Sequence, residues 1–344
     1  MSAGLRVLSL GAGVQSTTLL LLAAEGRLPR LDAAIFADTE WEPVAVYEHL
    51  DRLEREVAQP AGIPVLRVRA GTGTGRVTGN LRADSLNPGA FVRLPVFVAD
   101  RSGEGTAMVR RQCTEEYKVK PIKAAVRALL GYPHPRPVPR GLAAEQWIGI
   151  SRDEFHRAKD AAVGYLRNAF PLLDLDGAAD GRRGWTRNDC IRYLRASGWA
   201  DTPKSACVGC PFHGNRQWRA LRDTCACGHH RERHRGPVCD HADQHRGGDR
   251  CPCPGFHAPE WDDAVAFDHA LRTQRLRGIK EAPYLHRSRQ PLDRAPIDKV
   301  TRREWTDRQT DLFDSHADDA ENGAPDGCSP WACRGDHTTG GDSA

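Results

Sequence analysis

The hydrophobic pattern of the N-terminal part alternates short apolar runs with amphipathic stretches. Apolar runs at 5–10, 31–37 and 63–68 predict three β-strands. The stretches 14–22 and 42–58 carry apolar residues at helical spacing, so we expect a helix in each. This β-α-β-α-β order predicts a parallel sheet with helices on both faces. The pattern therefore places the chain in the α/β class, with a doubly wound, Rossmann-like sheet.

Downstream, the pattern predicts one long loop and further elements. The segment 71–107 is rich in Gly, Arg, Asp and Asn, and it predicts a surface loop over the site. Apolar spacing predicts a helix at 122–130, a strand at 146–150 and helices at 185–198 and 261–277.

Composition divides the chain into four parts. Residues 1–222 carry the α/β pattern, whereas 223–257 are rich in Cys and His and almost free of apolar residues. Residues 258–300 return to a helical pattern, and we expect them to complete the α/β domain. The polar segment 301–344 predicts a disordered tail.

The residues between the first strand and the first helix predict a phosphate-binding loop. Gly11 and Gly13 allow a sharp turn and a close approach of the backbone to a ligand. Ser16 and Thr17 lie where a new helix exposes unpaired N–H groups, which favour an anion. The loop lacks the lysine of a Walker motif and the third glycine of a dinucleotide fingerprint. An ordinary strand–helix turn is the alternative.

Polar residues also follow two other predicted strands. Asp38 and Thr39 come directly after the second strand, and Ser151 and Arg152 follow the strand at 146–150. Ligands of open α/β sheets bind beyond the carboxyl ends of the strands, so we expect these residues near the loop. A turn or helix-cap role is the alternative for Asp38. The basic stretch 110–122 could hold phosphate or sulfate, or form a solvated turn.

Composition narrows the class of protein. Of the 344 residues, 40% are hydrophobic, which permits a sizeable core. A net charge of +4 permits a nucleic-acid partner without arguing for one. No signal peptide or membrane-spanning run is apparent, and we expect a cytoplasmic protein. Eleven cysteines without an export signal favour metal or redox chemistry over disulfides.

Two groups of cysteines suggest metal sites. In the α/β part, four thiols suit either an iron–sulfur cluster or zinc: Cys113, Cys190, Cys207 and Cys210. In the 223–257 insertion, seven residues predict tetrahedral zinc, with one ion or two: Cys225, Cys227, His229, His234, Cys239, Cys251 and Cys253. Zinc would then supply the folding free energy of the insertion. A disordered Cys/His tract is the alternative.

The order of motifs resembles the phosphoadenosine phosphosulfate (PAPS) reductase family, a branch of the PP-loop ATP-pyrophosphatases. The loop resembles the motif Ser-Gly-Gly-x-Asp-Ser, with Gly11, Ala12 and Gln15 replacing Ser, Gly and Asp. The other matching segments are Phe36–Thr39, Arg111–Ile122, Gly149–Arg152, Phe170–Leu172 and Gly209–Phe212. The resemblance covers about 5–220, and residues 280–298 resemble the last segment of the family. It implies an adenine nucleotide α-hydrolase fold.

The resemblance also implies a nucleotide site and a reaction. The implied nucleotide-binding residues are Gly11, Ala12, Gly13, Gln15, Ser16, Thr17, Asp38 and Thr39. The implied catalytic residues are Asp38, Arg111, Lys118 and Arg152. With ATP and Mg²⁺, the enzyme would adenylate an acceptor and release pyrophosphate. A [4Fe–4S] cluster on the four core cysteines, with Cys190 completing the set, would let it pass sulfur from a donor protein to a nucleic acid.

Two other functions stay open at this point. A thiol-dependent reductase would bind PAPS and use Cys328 or Cys333, although the tail lacks the family's Glu-Cys-Gly-[Leu/Ile]-His motif. A zinc-bearing nucleic-acid-binding protein would carry a degenerate nucleotide site, consistent with Gln15 in the Asp position and Gly11 in the Ser position.

Overall fold

The structure is a computed structural model, and it describes most of the chain up to residue 305. The residues outside the description are 1–3, 72–76, 90, 101, 104, 236–237, 240–250, 252, 275, 302–303 and 306–344. The predicted disordered tail, including Cys328 and Cys333, therefore lies almost entirely outside the described residues.

The described elements alternate strand and helix through the first half of the chain. The strands are β1 (Arg6–Leu10), β2 (Ala33–Asp38), β3 (Val65–Arg69), β4 (Phe97–Ala99), β5 (Thr106–Met108), β6 (Ala144–Trp147), β7 (Leu166–Ala169), β8 (His234–Arg235) and β9 (Val238–Cys239). The α-helices are α1 (Val14–Ala24), α2 (Val44–Leu53), α3 (Leu81–Ser85), α4 (Lys120–Leu129), α5 (Arg187–Ala196), α6 (Asn215–Asp223) and α7 (Pro259–Thr273). Single π-helical turns continue α2 over Glu54–Ala58 and precede α4 over Glu115–Val119, and short 3₁₀ segments cover Arg152–Arg157, Pro171–Leu173, Arg231–Arg233 and Leu292–Arg294.

A five-stranded parallel sheet forms the centre of the fold. Its strand order is β3-β2-β1-β6-β7, so the chain leaves β1 toward one edge and later returns to build the other edge. Leu8 of β1 pairs with Ala34 of β2 on one side and with Trp147 of β6 on the other. The point where the strand order reverses therefore lies between β1 and β6.

Helices cover both faces of this sheet, as the β-α-β-α-β order predicts. Leu8 and Phe36 belong to the core that includes α1, α2 and α5. Val7 and Ile35 belong to the core on the opposite face, with Ile122 of α4. Successive strand residues point to opposite faces, so continuously apolar strands require cover on both sides. The α/β class and the doubly wound arrangement are confirmed.

The segment 71–107 is not the surface loop that its composition predicted. It contains α3 and the β4–β5 hairpin, which pairs Phe97 with Met108. Its apolar residues enter a second buried core that also contains Phe267 of α7 and Trp218 of α6. The residues contributed by the segment are Val77, Leu81, Val92, Leu94 and Val96. This second core also receives Leu285 and Leu292, so the chain beyond the insertion packs on 77–96 and α6.

Candidate functional site

The loop between β1 and α1 is held in shape by the Ser16 side chain. The backbone N–H groups of Gly11 and Gly13 donate to Ser16 Oγ at 3.1 and 3.3 Å. The Ser16 hydroxyl in turn donates to the Gly13 carbonyl oxygen at 3.2 Å. Ala12, between the glycines, has a φ of 55°, in the left-handed region that favours glycine. Ser16 therefore stabilises the loop internally.

The loop lies where an α/β sheet ordinarily binds ligands. It follows the carboxyl end of β1, next to the reversal of strand order between β1 and β6. α1 begins at Val14 with Gly13 as its N-cap, and its first turn exposes N–H groups that have no acceptor inside the helix. The positive end of the helix dipole adds to their attraction for an anion. The loop thus has the backbone donors that a phosphate group needs.

Gln15 connects the loop to two segments distant in sequence. Its Oε1 accepts a hydrogen bond from Arg187 Nη1 at 3.1 Å. Its Nε2 lies 3.5 Å from Ser151 Oγ and 3.4 Å from Glu154 Oε2. Glu154 is also paired with Arg157, at 2.8 Å. The Gln15 amide thus contacts a cation, Arg187, and a carboxylate, Glu154, beside the loop.

Arg187 is a site residue that sequence reasoning missed. It opens α5, whose N-cap Thr186 accepts a hydrogen bond from the Asp189 N–H. Its own backbone N–H donates to Asp153 Oδ1 at 3.0 Å, which fixes the start of the helix beside the strand-end segment after β6. The sequence carries no local signal for this contact, because 172 positions separate Arg187 from Gln15.

Asp38 and Thr39 lie at the carboxyl end of β2, as predicted. Asp38 Oδ1 accepts hydrogen bonds from the Glu40 N–H and from Tyr47 Oη, both at 2.7 Å. Burial, together with the Asp38 carboxylate, raises the pKa of Tyr47, so the phenol stays a donor. The Thr39 side chain faces inward, 3.2 Å from Glu42 Oε1 and 3.4 Å from Cys207 Sγ. Asp38 is half-buried and Thr39 is buried.

Lys118 occupies a buried network at this end of β2. Its Nζ lies 3.1 Å from Glu42 Oε1, and both side chains are almost fully enclosed. The same carboxylate oxygen accepts from Thr39 and lies 3.5 Å from Cys207 Sγ. Among the described residues, Glu42 Oε2 is buried without a hydrogen-bond partner. Lys118, which the family resemblance implies as a catalytic residue, therefore neutralises a buried carboxylate.

Three other predicted residues have their side chains turned to other partners. Arg152 pairs with Asp180 and donates to the Arg183 carbonyl oxygen at 3.3 Å. The Arg111 guanidinium lies over the Phe212 ring, 4.9 Å from its centroid. Thr17 is fully buried, and its Oγ1 lies 3.0 Å from His49 Nε2. The Thr17 hydroxyl therefore faces the core and not the loop, because the residue lies on the inner side of α1.

The four core cysteines are not brought together. Cys190 is fully buried between α1 and α5, in the core that contains Leu19 and Leu194. Burial raises the pKa of its thiol to about 12, although a hydrogen bond with Thr18 opposes this shift. Cys113 and Cys207 belong to the second core, and Cys210 packs with Ala206 and Phe212. The predicted four-cysteine centre therefore lacks Cys190, which the fold buries as a neutral thiol beside Thr18 of α1.

A cleft of about 400 Å³ opens beside the CxxC segment. The lining residues that matter chemically are Phe97, Met108, Phe212, His213 and Arg287. His213 is fixed by a ring nitrogen 3.0 Å from the Cys207 carbonyl oxygen. The cleft combines aromatic surface with a cation, which suits a planar or anionic ligand.

The insertion brings all seven predicted metal ligands into two compact groups. The first group is Cys225, Cys227, His234 and Cys253, and the second is Cys227, His229, Cys239 and Cys251. In each group the four ligand atoms lie within 4.8 Å of one another. Cys and His donors at this density can hold a metal ion. His241 and His245, which lie in the same stretch, are outside the described residues.

Comparison of the sequence with models of known protein families and with curated proteins gave no match. Within the described part of the chain, the helices are too short or too polar to cross a bilayer. The fold and the site therefore define only a class: an α/β protein with a strand–helix loop at the reversal point of a parallel sheet and an insertion whose Cys and His groups could hold a metal ion.

Proposed function

We propose that this chain is a PP-loop enzyme that resembles the PAPS reductase family, binds ATP and transfers its AMP moiety to an acceptor with release of pyrophosphate. One observation carries the proposal: the loop after β1 meets the N-terminus of α1 at the reversal point of the sheet. Parallel α/β sheets bind nucleotide phosphates at this position.

The conformation of the loop supports a PP-loop. Ala12 stands where the motif has a glycine, and its φ of 55° is the left-handed conformation that glycine favours. Gly149, after β6, presses against the loop so closely that a Cβ would lie 3.0 Å from the Ser16 amide nitrogen. The backbone donors of the loop would hold the phosphates. The half-buried Asp38 carboxylate would offer an oxygen ligand to Mg²⁺, which would neutralise phosphate charge when bound.

We assign the cation of this site to Arg187. Lys118 and Arg152 are paired with Glu42 and Asp180, whereas Arg187 reaches the first turn of α1 through the neutral amide of Gln15. A guanidinium at the loop would stabilise the negative charge that develops on pyrophosphate as the bond to the α-phosphorus breaks. The acceptor would occupy the cleft beside Phe212, where Arg287 supplies a cation.

The proposed reaction is adenylyl transfer without sulfur transfer. Sulfur transfer would need a centre on four cysteines, and Cys190 lies in a different core from Cys113 and Cys207. We also propose that the insertion holds zinc. Its ligands are thiolates and imidazoles, and every position of each group is filled by the protein, which is typical of structural zinc sites.

A second candidate is a nucleotide-binding protein that does not catalyse. It is favoured by the pairing of Lys118 with Glu42 and by the replacement of a carboxylate by Gln15 in the loop. Incubation of the full chain with ATP, Mg²⁺ and candidate acceptors, followed by pyrophosphate measurement and calorimetric titration with ATP, separates the two. Pyrophosphate release supports the enzyme, binding without release supports the second candidate, and no binding refutes both.

A further inference from the structure

The ligand groups of the insertion share one residue. Cys227 belongs to both, whereas each of the other six ligands belongs to one. Its Sγ lies 3.5 Å from His229 Nδ1 of the second group and 3.6 Å from His234 Nε2 of the first. Within the groups, Cys225 Sγ lies 3.5 Å from Cys253 Sγ, and Cys239 Sγ lies 3.2 Å from His229 Nδ1.

These spacings fit two tetrahedral ions. Zn–S bonds of about 2.3 Å and Zn–N bonds of about 2.0 Å at tetrahedral angles put ligand atoms roughly 3.5–3.8 Å apart. Three of the four distances lie in this range, and the fourth, 3.2 Å between Cys239 Sγ and His229 Nδ1, is slightly shorter. A single ion in the first group would leave the three remaining donors of the second group close together without a metal. These donors are His229, Cys239 and Cys251. The described donors therefore complete four ligands for each of two ions only if Cys227 binds both ions.

The backbone of the insertion is built to place Cys227 centrally. The Cys225 N–H donates to the His229 carbonyl oxygen at 2.9 Å, which closes a tight turn around Cys227. Gly228 completes this turn with a φ of 82°, a conformation that L side chains rarely adopt. The Ala226 N–H donates to the His257 carbonyl oxygen at 2.7 Å, and the His257 N–H donates to Cys225 Sγ at 3.3 Å. Both ends of the insertion thus meet at the turn that carries Cys227.

We propose that the insertion is a binuclear zinc centre in which the Cys227 thiolate bridges the two ions. This inference rests on the proposed zinc site and is independent of the nucleotide site. Five thiolates and two neutral imidazoles against two Zn²⁺ ions give the cluster a net charge of −1. Every coordination position is taken by the protein, so the centre is structural, and its two halves are held by one sulfur atom.

Metal analysis of the full chain and its variants tests the bridge. The parent should hold two zinc ions per chain. Cys225→Ala and Cys239→Ala should each lose the ion of one group, whereas Cys227→Ala should lose both. His230→Ala is the matched control, because His230 lies in the same turn but in neither group. Absence of zinc from the parent would refute the zinc site itself, and one ion per chain would refute only the bridge.

A spectroscopic measurement keeps the test valid if single substitutions unfold the insertion. The parent chain loaded with ¹¹³Cd should give two resonances split by mutual scalar coupling, because a single sulfur atom joins the two ions. Two uncoupled resonances would overturn the bridge, as would a Cys227→Ala variant that keeps one ion in its original site.

Discussion

Gly149 lies directly against Gln15. A Cβ at position 149 would lie 2.9 Å from Gln15 Cβ and 3.0 Å from the Ser16 amide nitrogen, so a side chain there would force these atoms to shift. The segment after β6 therefore supports the loop after β1 by close backbone contact at Gly149, in addition to the Ser151 and Glu154 side chains near the Gln15 amide. The absence of a side chain at position 149 sets the position of the first turn of α1, and with it the N–H groups that we propose as phosphate ligands.

Gly149→Ala should weaken ATP binding more than it weakens the fold. The added methyl group must push the Gln15–Ser16 backbone outward by several tenths of an ångström, which misdirects the N–H donors. We expect ATP affinity to fall by roughly tenfold or more, since each charge-assisted hydrogen bond contributes about 1.5–3 kcal/mol. Calorimetric titration measures the affinity, and thermal unfolding measures the stability.

Gly164→Ala is the control for this substitution, because a Cβ at position 164 meets no atom of the described part of the chain within 4 Å. It should leave ATP affinity unchanged. Equal affinities for the parent and Gly149→Ala would show that the loop does not hold the phosphates.

Arg187→Ala should lower ATP affinity by about 10- to 100-fold, which corresponds to one hydrogen bond to a charged group. The guanidinium lies 3.1 Å from Gln15 Oε1, at the mouth of the loop. Arg195→Ala, at the other end of α5, should change the affinity little. Indistinguishable titrations for the two variants would remove Arg187 from the site.

The apolar pattern was sufficient to predict the central sheet because its strands are buried on both faces. Runs such as Ala33–Asp38 leave no other way to bury their side chains. It failed at 71–107, where the apolar run 91–99, broken only by Arg93 and Pro95, lies in a segment otherwise rich in Gly and charged residues. Val92, Leu94 and Val96 of this run are buried. Their burial depends on Phe267, which the sequence places more than 160 positions later.

The candidate site was predictable only where residue type alone defines the chemistry. The seven insertion ligands could be predicted because few roles other than metal binding suit such a density of Cys and His, and the structure brings them together. The roles of Lys118 and Arg152 could not be deduced, because a cation pairs with whichever carboxylate the tertiary fold brings near. Glu42 and Asp180 are those carboxylates, and they are 76 and 28 positions away.

Lys118→Met should destabilise the fold by about 3–5 kcal/mol, because it leaves the buried Glu42 carboxylate without its cation. Adding Glu42→Gln should recover a large part of this loss, since the amide oxygen can still accept from Thr39. Denaturant unfolding of the single and double variants measures the coupling.

Lys120→Met is the matched control, because Lys120 lies in the same segment as Lys118. It breaks an exposed i,i+4 pair with Glu116 and should cost less than about 1 kcal/mol. A similarly small cost for Lys118→Met, or a double variant no more stable than the single one, would contradict a buried ion pair.

His49 should make the fold sensitive to acid. Burial lowers its pKa from 6.5 to about 4, and the neutral ring contacts Thr17 and packs edge-on against Trp199. Above pH 6.5 the ring is neutral in both states and the fold suffers no loss. As the pH falls toward 4, the unfolded chain binds a proton that the folded chain excludes. Stability should therefore drop by about 3 kcal/mol through this residue.

His49→Gln isolates this contribution, because His286, whose pKa burial also lowers to about 4, acts in the parent and the variant alike. The difference in unfolding free energy, parent minus His49→Gln, should be constant above pH 7. It should then fall by about 3 kcal/mol by pH 4. Replacing the exposed His156 by Gln should give a difference with a much smaller dependence on pH. A His49→Gln difference that stays flat from pH 7 to pH 4 would mean that the ring is protonated within the fold. The contact between Thr17 Oγ1 and His49 Nε2 would then be a hydrogen bond donated by a charged ring.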